Sequence, residues 1–352
     1  MLSGRNGTCW LRWRAMKVAV RVLLVVAGFA VAGFVLARAF TGFDAAEVGA
    51  ALTSLGWGDY LLLTGVFVVL LAAQAYLAAA FVPGLSMRRG LIAWLGSNAV
   101  AMLVPGPSDV PLRYKMFRSW GLPAGDAATA TAGATLLNSV HKLVLPAIAA
   151  VGLAVGDVNV GNVRNAVIVG CAVFAGLAVA VVFVFGTARR TAVAGGILGL
   201  VVRRPVADVL VRNRNRAVGL VRTAWKRMLV GLLLVVGVSV VLFVVCMRAA
   251  GLPATAASTL ALFCVWALVR GLTVLPTMPG DAGVSELAYV SLLAQVAGSA
   301  HVNAAAAGVV LYRVITWIAL IPLGAIAIAA WRWGLRRRHE PEPEVPDDLV
   351  AA

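Results

Sequence analysis

The sequence has few of the residues with which soluble enzymes usually perform chemistry. Only 12% of its 352 residues are charged, and it contains 3 histidines, 4 cysteines and 14 acidic residues. The cysteines show no CxxC spacing and the histidines lie far apart, so we expect no disulfide framework, no metal site and no cofactor. Motifs of nucleotide binding, zinc hydrolysis and serine nucleophiles are also missing. We therefore assign no catalytic residues, although this absence alone does not exclude an enzyme.

Apolar residues dominate the chain instead. They make up 62% of it, and the mean hydropathy is +0.95, which is too high for a soluble globular domain. The net charge of +16 is divided into short runs between apolar segments, which is typical of cytoplasmic loops near anionic lipid. We therefore predict an all-α, polytopic membrane protein whose partners are membrane lipids rather than nucleic acid.

Segment lengths and loop charges predict the topology. We expect about six full spans and two shorter re-entrant hairpins, with both termini cytoplasmic. The predicted regions are a basic N-terminus over 1–17, a transmembrane domain over 18–335 and a disordered tail over 336–352. Residues 187–227 carry many arginines against Asp208 alone and are predicted as the main cytoplasmic loop. The composition, rich in Arg, Ala, Val and Gly, suggests a bacterial plasma-membrane protein.

Two apolar stretches are interrupted by proline and glycine. The stronger interruption is Leu275–Glu286, LPTMPGDAGVSE, and a weaker one is Val104–Arg113, VPGPSDVPLR. Proline and glycine break helices, and backbone freed inside a bilayer is tolerated only where it is buried in protein or lines a cavity. Paired broken segments in the two halves of a membrane chain are a sequence indication of a transport site. The predicted helix-break residues are Pro105, Gly106, Pro279, Gly280 and Gly283.

The two interruptions also indicate an internal repeat. Pro279 follows Pro105 by 174 positions. Loop charges predict that the first broken segment enters from the cytoplasmic side and the second from the outer side. We therefore predict an inverted repeat whose halves cover about 60–155 and 228–330.

Four basic residues lie near the interruptions or deep in an apolar segment. Lys142 lies roughly 20 Å from either end of its predicted helix. A charge at that depth costs about 3 kcal/mol and needs a partner or a wet cavity. Arg313 lies near mid-depth, Arg270 ends a half-helix, and Arg113 follows the first interruption. Together they could hold a phosphate, because arginine offers bidentate geometry. The plainer alternative gives each of them a structural role only.

Three carboxylates are the expected partners of these cations. Either Glu286 or Asp281 could pair with Arg313. Asp109 precedes Arg113 by four positions, which fits an ion pair on one helix. Such pairs would orient the cations for a ligand, meet a cationic group of that ligand, or simply keep the helices in register.

The segments that carry these residues resemble a known family. The run VRGLTVLPTMPGDAGVSELAYVSLLAQVAG, the later LYRVITWIALIPLG and the earlier NAVAMLVPGPSDVPLRYKMFRSWGL are similar to the transmembrane region of lysylphosphatidylglycerol synthase/flippase proteins. The resemblance covers residues 15–335, and its most specific part is a proline-glycine break followed by a glutamate and a Tyr-Arg pair. It carries over to Pro105, Gly106, Arg113, Pro279, Gly280, Gly283, Glu286, Tyr312 and Arg313. The expected lipid headgroup site combines Arg113, Tyr312 and Arg313 from this resemblance with Lys142 and Arg270, which their positions in the sequence indicate.

The sequence also departs from this family. Asn138, His141 and Lys142 occupy the region where the family often has an acidic group with an arginine, and Asp281 stands where glycine is common. Because the sequence contains no soluble aminoacyl-transferase domain, we expect no lipid aminoacylation by this chain alone.

The resemblance implies a flippase or transporter in cell-envelope assembly. Its expected substrate is an anionic, aminoacyl or polyprenyl-linked lipid that crosses the plasma membrane. The alternative is a non-catalytic membrane subunit of a glycosyl- or acyl-transferase complex. A separate transferase or a second copy of the chain would then be a further partner.

Overall fold

A computed structural model gives the fold of most of the chain. It describes residues 45–82, 84–104, 108–155, 186–202, 207–274, 281 and 283–337, and scattered helical residues between 168 and 184. Within these ranges the secondary structure is helical and contains no strand, which confirms the all-α class. The predicted basic N-terminus and nearly all of the acidic tail lie outside the described residues.

The helices are numbered here in chain order over the described residues. They are α1 (Ala45–Thr53), α2 (Trp57–Ala80), α3 (Met87–Leu103), α4 (Asp109–Ser119), α5 (Ala124–Val155), α6 (Ala188–Val202), α7 (Ala207–Ala249), α8 (Thr259–Leu272), α9 (Val284–Ala297), α10 (Val302–Arg313) and α11 (Leu320–Arg337). A short 3₁₀ turn, Ser299–His301, precedes α10, and a π-helical turn, Val314–Ile318, joins α10 to α11.

Four helical segments are long and apolar enough to cross a membrane. They are Trp57–Ala80, Ala124–Leu153, Arg222–Ala249 and Ser299–Arg336. Of the six predicted spans, the first, which begins near Val18, lies outside the described residues, and the one over 165–186 lies largely outside them. The four described segments confirm a membrane protein. The span that begins near Val18 and the span over 165–186 remain predictions.

Two shorter helices lead into the interruptions and begin in the same way. The Ser86 hydroxyl accepts the Arg89 backbone N–H at 3.4 Å at the start of α3. The Ser258 hydroxyl accepts the Ala261 N–H at 3.2 Å at the start of α8. A serine that caps in this way satisfies a donor that the first helical turn would leave unpaired. Hydropathy alone predicts that these helices begin at Leu91 and Ala254, and the caps explain why α3 begins earlier and α8 later.

The basic region 187–227, which we expected as a loop, is helical from Ala188 onward wherever it is described. It contains α6 and the first part of α7, which runs without interruption into an apolar span. At 1.5 Å per residue, the 43 residues of α7 extend about 65 Å, so the helix is longer than a bilayer is thick. Alanine, arginine and leucine favour helix, and their charge pattern alone does not distinguish a loop from a helix that leaves the membrane.

Each short helix packs against a helix from the other half of the chain. Helix α3 lies against α11, and α8 lies against α5. Glycine permits both contacts, because a Cβ atom at Gly324 would overlap Ala99, and one at Gly271 would overlap the ring of Pro146. The two interrupted regions are therefore held crosswise by the long helices.

Apolar side chains fill the space around this crosswise arrangement in two main clusters. The larger cluster joins α2, α5 and α7–α10, and it contains the fully buried Trp266 and Phe243. The second joins α2–α5 with α7 and contains Met116 and Phe117. Polar residues between these clusters are therefore held by rigid, well-packed helices.

Candidate functional site

A cavity of about 460 Å³ lies among α2–α5 and α7–α11. Its wall contains the four cations and the tyrosine that the sequence singled out, and two of the three carboxylates. These are Asp109, Arg113, Lys142, Arg270, Asp281, Tyr312 and Arg313. The fold thus brings residues from positions 109 to 313 to one cavity between the helices.

Arg313 is paired with a carboxylate from another helix. Its Nε lies 2.5 Å from Oε1 of Glu286, and the two side chains are only 15% and 4% exposed. Of the two carboxylates expected as partners, the structure thus places Glu286 in direct contact. The guanidinium also lies 5.2 Å from the ring centroid of Trp317, a geometry that favours a cation–π interaction.

Glu286 has a second role at the start of α9. Its Oε2 accepts the Gly283 backbone N–H at 2.8 Å and the Ser285 hydroxyl at 3.0 Å. Gly283 has φ +84°, a conformation that glycine adopts at little cost. Both carboxylate oxygens of Glu286 are thus engaged, so this residue holds α9 and Arg313 in place without lining the cavity.

Asp281 has an unusual backbone conformation in the second interruption. Its φ is +58°, and its carbonyl accepts the Ser285 hydroxyl at 2.9 Å. Glycine adopts this left-handed region with ease, and asparagine and aspartate are the other residues that tolerate it well, so an aspartate fits at this position. The carboxyl group lies close enough to Lys142, Arg270 and Arg313 to interact electrostatically with each.

Lys142 reaches from the middle of α5 to the end of α8. Its Nζ donates to the Thr273 carbonyl at 2.9 Å. Thr273 caps α8, so this carbonyl is one of those that a helix leaves without an internal partner. Four residues later, Pro146 removes the helical hydrogen bond to the carbonyl of Lys142 itself. Lysine at this depth therefore has a neutral partner in the described structure and no carboxylate in contact.

Arg270 lies in the last turn of α8 on the cavity wall. Its guanidinium lies 5.9 Å from the ring centroid of Trp266, one helical turn earlier. Among the described residues, its buried Nε has no hydrogen-bond partner. Burying such a donor unpaired costs about 1–3 kcal/mol, so Arg270 is a cation with unused binding capacity at the cavity.

Arg113 is held within the first interrupted region. Its Nη2 donates to Asp109 Oδ2 at 3.0 Å, one turn earlier on α4, and to the Ser97 hydroxyl at 3.1 Å on α3. The side chains of Arg113 and Asp109 are 13% and 21% exposed. The pair that the four-residue spacing predicts is thus present, and it ties α4 to α3 beside the cavity.

Tyr312 belongs to an aromatic cluster at the wall. Its hydroxyl accepts the Trp266 indole N–H at 3.0 Å, and its ring packs edge-on against Phe243 and Tyr289. The phenol is 5% exposed. This arrangement gives Tyr312 a packing role and leaves its predicted contact with a headgroup a proposal.

The structure adds wall residues that sequence reasoning missed. The π-helical turn after Arg313 places Trp317 on the wall, and its buried Nε1 has no partner among the described residues. A π turn of this kind is frequent at functional sites. Pro322 could have signalled the turn, because it cannot donate to the Ile318 carbonyl. The amides of Gln74, Asn98 and Asn138 also line the cavity.

Four of the predicted helix-break residues cannot be placed in this geometry. Pro105, Gly106, Pro279 and Gly280 lie outside the described residues. Their flanking helices end at Leu103 and Leu272, close to the positions that the sequence predicts for the two interruptions.

The family model described as the lysylphosphatidylglycerol synthase TM region matches residues 25–324. The chain belongs to this family. The match confirms the resemblance found in the sequence and extends across every residue of the cavity wall, from Phe67 to Leu320. No curated protein matches the chain at a significant level. Membership of the lysylphosphatidylglycerol synthase TM region family indicates a function related to membrane lipids.

Proposed function

We propose that this protein is a flippase or transporter that moves a lipid with an anionic headgroup across the membrane. One observation carries the proposal: Arg113, Lys142, Arg270 and Arg313 line one cavity between apolar helices. Aminoacyl and polyprenyl-linked lipids fall within the same proposal where they carry a phosphate. The bacterial plasma membrane is its expected place of action.

The charge balance of the wall supports an anionic ligand. Four cationic side chains line the cavity in the described structure, against the two carboxylates Asp109 and Asp281. A charge in the middle of a bilayer costs about 3 kcal/mol on insertion scales, so a cluster of cations is expensive unless a ligand or water compensates it. Arginine presents a planar fork of donors that matches phosphate oxygens.

The crosswise packing supports an inverted repeat of the kind that many alternating-access transporters contain. The order of a long helix, an interrupted pair and a second long helix occurs twice, as α2–α5 and as α7–α11. The contact of α3 with α11 has its counterpart in the contact of α8 with α5. In transporters built from inverted repeats, the substrate site lies between the halves, as this cavity does.

A translocation assay tests the proposal. The purified protein is reconstituted into vesicles that contain fluorescent phosphatidylglycerol, and a membrane-impermeant quencher reports lipid that has crossed. We expect movement with wild-type protein and at least a tenfold loss with Arg270→Gln, which keeps a polar side chain with N–H donors but removes its charge. The matched control is Arg332→Gln, an exposed cation on α11, and it should move lipid at the wild-type rate.

Equal rates for Arg270→Gln and wild type, with both proteins folded, would refute the role of the cavity. No movement by folded wild-type protein would refute lipid translocation itself.

The accessory-subunit alternative also has a structural observation in its favour. The N-terminal part of α7, before the apolar span that begins at Arg222, carries the exposed cation Arg212, and Arg222 and Arg227 are exposed in the first turns of that span. Such a surface would bind an anionic partner protein or the lipid surface. Co-purification of one stoichiometric transferase, together with no lipid movement by the isolated chain, would favour this alternative.

A further inference from the structure

The carboxylates near the cavity are already bound to cations or surrounded by them. Asp109 is paired with Arg113, and Glu286 is engaged by Arg313, by the Gly283 N–H and by the Ser285 hydroxyl. The residues around the interruptions that the structure does not describe, 105–107, 275–280 and 282, include no Asp or Glu. Within the described wall, Asp281 alone remains for a positively charged ligand group.

The surroundings of Asp281 are unfavourable for an ammonium group. Lys142, Arg270 and Arg313 already act on its carboxyl group electrostatically, and Glu286, the counter-ion of Arg313, acts in the opposite direction. A ligand ammonium at this position would gain one carboxylate and face Lys142 and Arg270, which have no carboxylate in contact within the described structure, at a depth where water screens charges poorly. A phosphate in the same place would be attracted by both of these cations.

The unpaired donors of the wall lead to the same preference. Arg270 Nε–H and Trp317 Nε1–H have no acceptor among the described residues. Phosphate and hydroxyl oxygens accept hydrogen bonds, whereas an ammonium group only donates them. A ligand that is to satisfy these groups must therefore present oxygen atoms.

The uncharged polar residues of the wall suit hydroxyl groups. Gln74, Asn98 and Asn138 line the cavity, and each amide supplies both donors and an acceptor. Asn98 is oriented by a hydrogen bond from its Nδ2 to the Trp94 carbonyl at 2.9 Å. A hydroxyl group both donates and accepts, so it matches an amide, and the cavity has room for such a group beside a phosphate.

We infer that the headgroup recognised by this cavity combines a phosphate with an uncharged, hydroxyl-bearing group, such as a polyol or a sugar, and carries no ammonium. This inference rests on the proposed function, because it names the class of lipid that the proposed transporter would accept. Both a glycerophospholipid and a polyprenyl phosphate sugar present this chemistry. An aminoacylated lipid does not.

A binding competition tests the inference independently of transport. The purified full-length protein in detergent is mixed with equal amounts of phosphatidylglycerol and lysylphosphatidylglycerol of the same acyl chains, and native mass spectrometry counts the bound lipids. A polyprenyl phosphate sugar and a phosphate-free glycosyl diacylglycerol are tested in the same way. We expect phosphatidylglycerol and the polyprenyl phosphate sugar to bind at least tenfold more tightly than lysylphosphatidylglycerol and the phosphate-free glycolipid. The ratio of bound phosphatidylglycerol to bound polyprenyl phosphate sugar then identifies the source of the phosphate.

Asp281→Asn supplies the matched variant. Asparagine tolerates φ +58°, so the backbone is preserved while the charge is removed. We expect tighter binding of phosphatidylglycerol, because a carboxylate no longer competes for the cations, and no loss of affinity for lysylphosphatidylglycerol. If Asp281 instead held a ligand ammonium, the variant would lose affinity for the lysyl lipid.

The outcomes separate this inference from the proposed function. The expected binding preference without any lipid movement would refute transport and leave the inference standing. Binding of lysylphosphatidylglycerol or the phosphate-free glycolipid at least as tight as that of phosphatidylglycerol would overturn the inference, and so would the absence of binding by all four lipids to folded protein.

Discussion

The two interrupted regions each carry an arginine–carboxylate pair, but the partners are close in sequence in the first pair and far apart in the second. Arg113 and Asp109 belong to one turn of α4, with 3.0 Å between Nη2 and Oδ2. Arg313 and Glu286 are 27 positions apart and join α10 to α9, with 2.5 Å between Nε and Oε1. The first pair is local, whereas the second connects two helices.

This difference indicates which cations are available to a ligand. The long-range pair includes a carboxylate that also caps α9, so removing it would disturb both the helix start and the neighbouring arginine. Arg270 and Lys142, which lie at the end of α8 and opposite it, have no carboxylate in direct contact within the described structure. The second interruption thus separates a structural arginine from two cations that face the cavity.

Removing Glu286 should have the largest effect on stability. Glu286→Ala leaves Arg313 buried without a counter-ion, and the Gly283 N–H and Ser285 hydroxyl lose their acceptor. We expect the free energy of unfolding to fall by about 3–5 kcal/mol. Thermal unfolding in detergent, followed by circular dichroism, measures this loss.

The control for Glu286→Ala is Glu286→Gln, which keeps an acceptor oxygen at the cap and should lose less. A loss below that of Asp109→Ala would contradict the assignment of the long-range pair as the structural one.

Lys142 should affect ligand binding more than stability. Lys142→Met removes the donor to the Thr273 carbonyl, but it also removes a charge that is costly to bury, so these two effects partly offset each other. We expect a change of about 1 kcal/mol or less in the free energy of unfolding and roughly a tenfold loss in affinity for phosphatidylglycerol, which corresponds to about 1.4 kcal/mol. Unfolding measurements and lipid titrations on the same preparation separate the effect on stability from the effect on affinity. A fully folded variant with wild-type affinity would exclude Lys142 from the site.

Asp109 should have the smallest effect of the three. Asp109→Ala breaks a pair within one helical turn, and Arg113 keeps its hydrogen bonds to Ser97. We expect a loss of about 1 kcal/mol in the free energy of unfolding, measured as for Glu286. A loss as large as that of Glu286→Ala would remove the distinction between a local and a long-range pair.

The sequence could predict features that depend on local composition. Hydropathy shows where helices are long enough to span, and proline with glycine marks where they stop. The four-residue spacing predicts the Asp109–Arg113 pair, because residues so placed share one face of a helix. Depth in an apolar segment was likewise enough to identify Lys142 and Arg313 as unusual.

Long-range partners could not be predicted from such patterns. The contact of Lys142 with Thr273 joins positions 131 apart, and it depends on how α5 crosses the end of α8. The choice of Glu286 over Asp281 follows from the left-handed backbone at Asp281 and the cap at Gly283. Trp317 was missed because periodicity assumes a regular helix, whereas a π turn rotates the residues after Arg313 to a different face.

The most direct test is to locate lipid in the cavity. Cryo-electron microscopy of the full-length protein, bound to an antibody fragment in phosphatidylglycerol nanodiscs, would show where headgroups lie. We predict density for a phosphate inside the cavity, within hydrogen-bonding distance of the Arg270 guanidinium. Headgroups at the bilayer surface only, with a cavity that is empty or filled by acyl chains, would contradict a headgroup site among these cations.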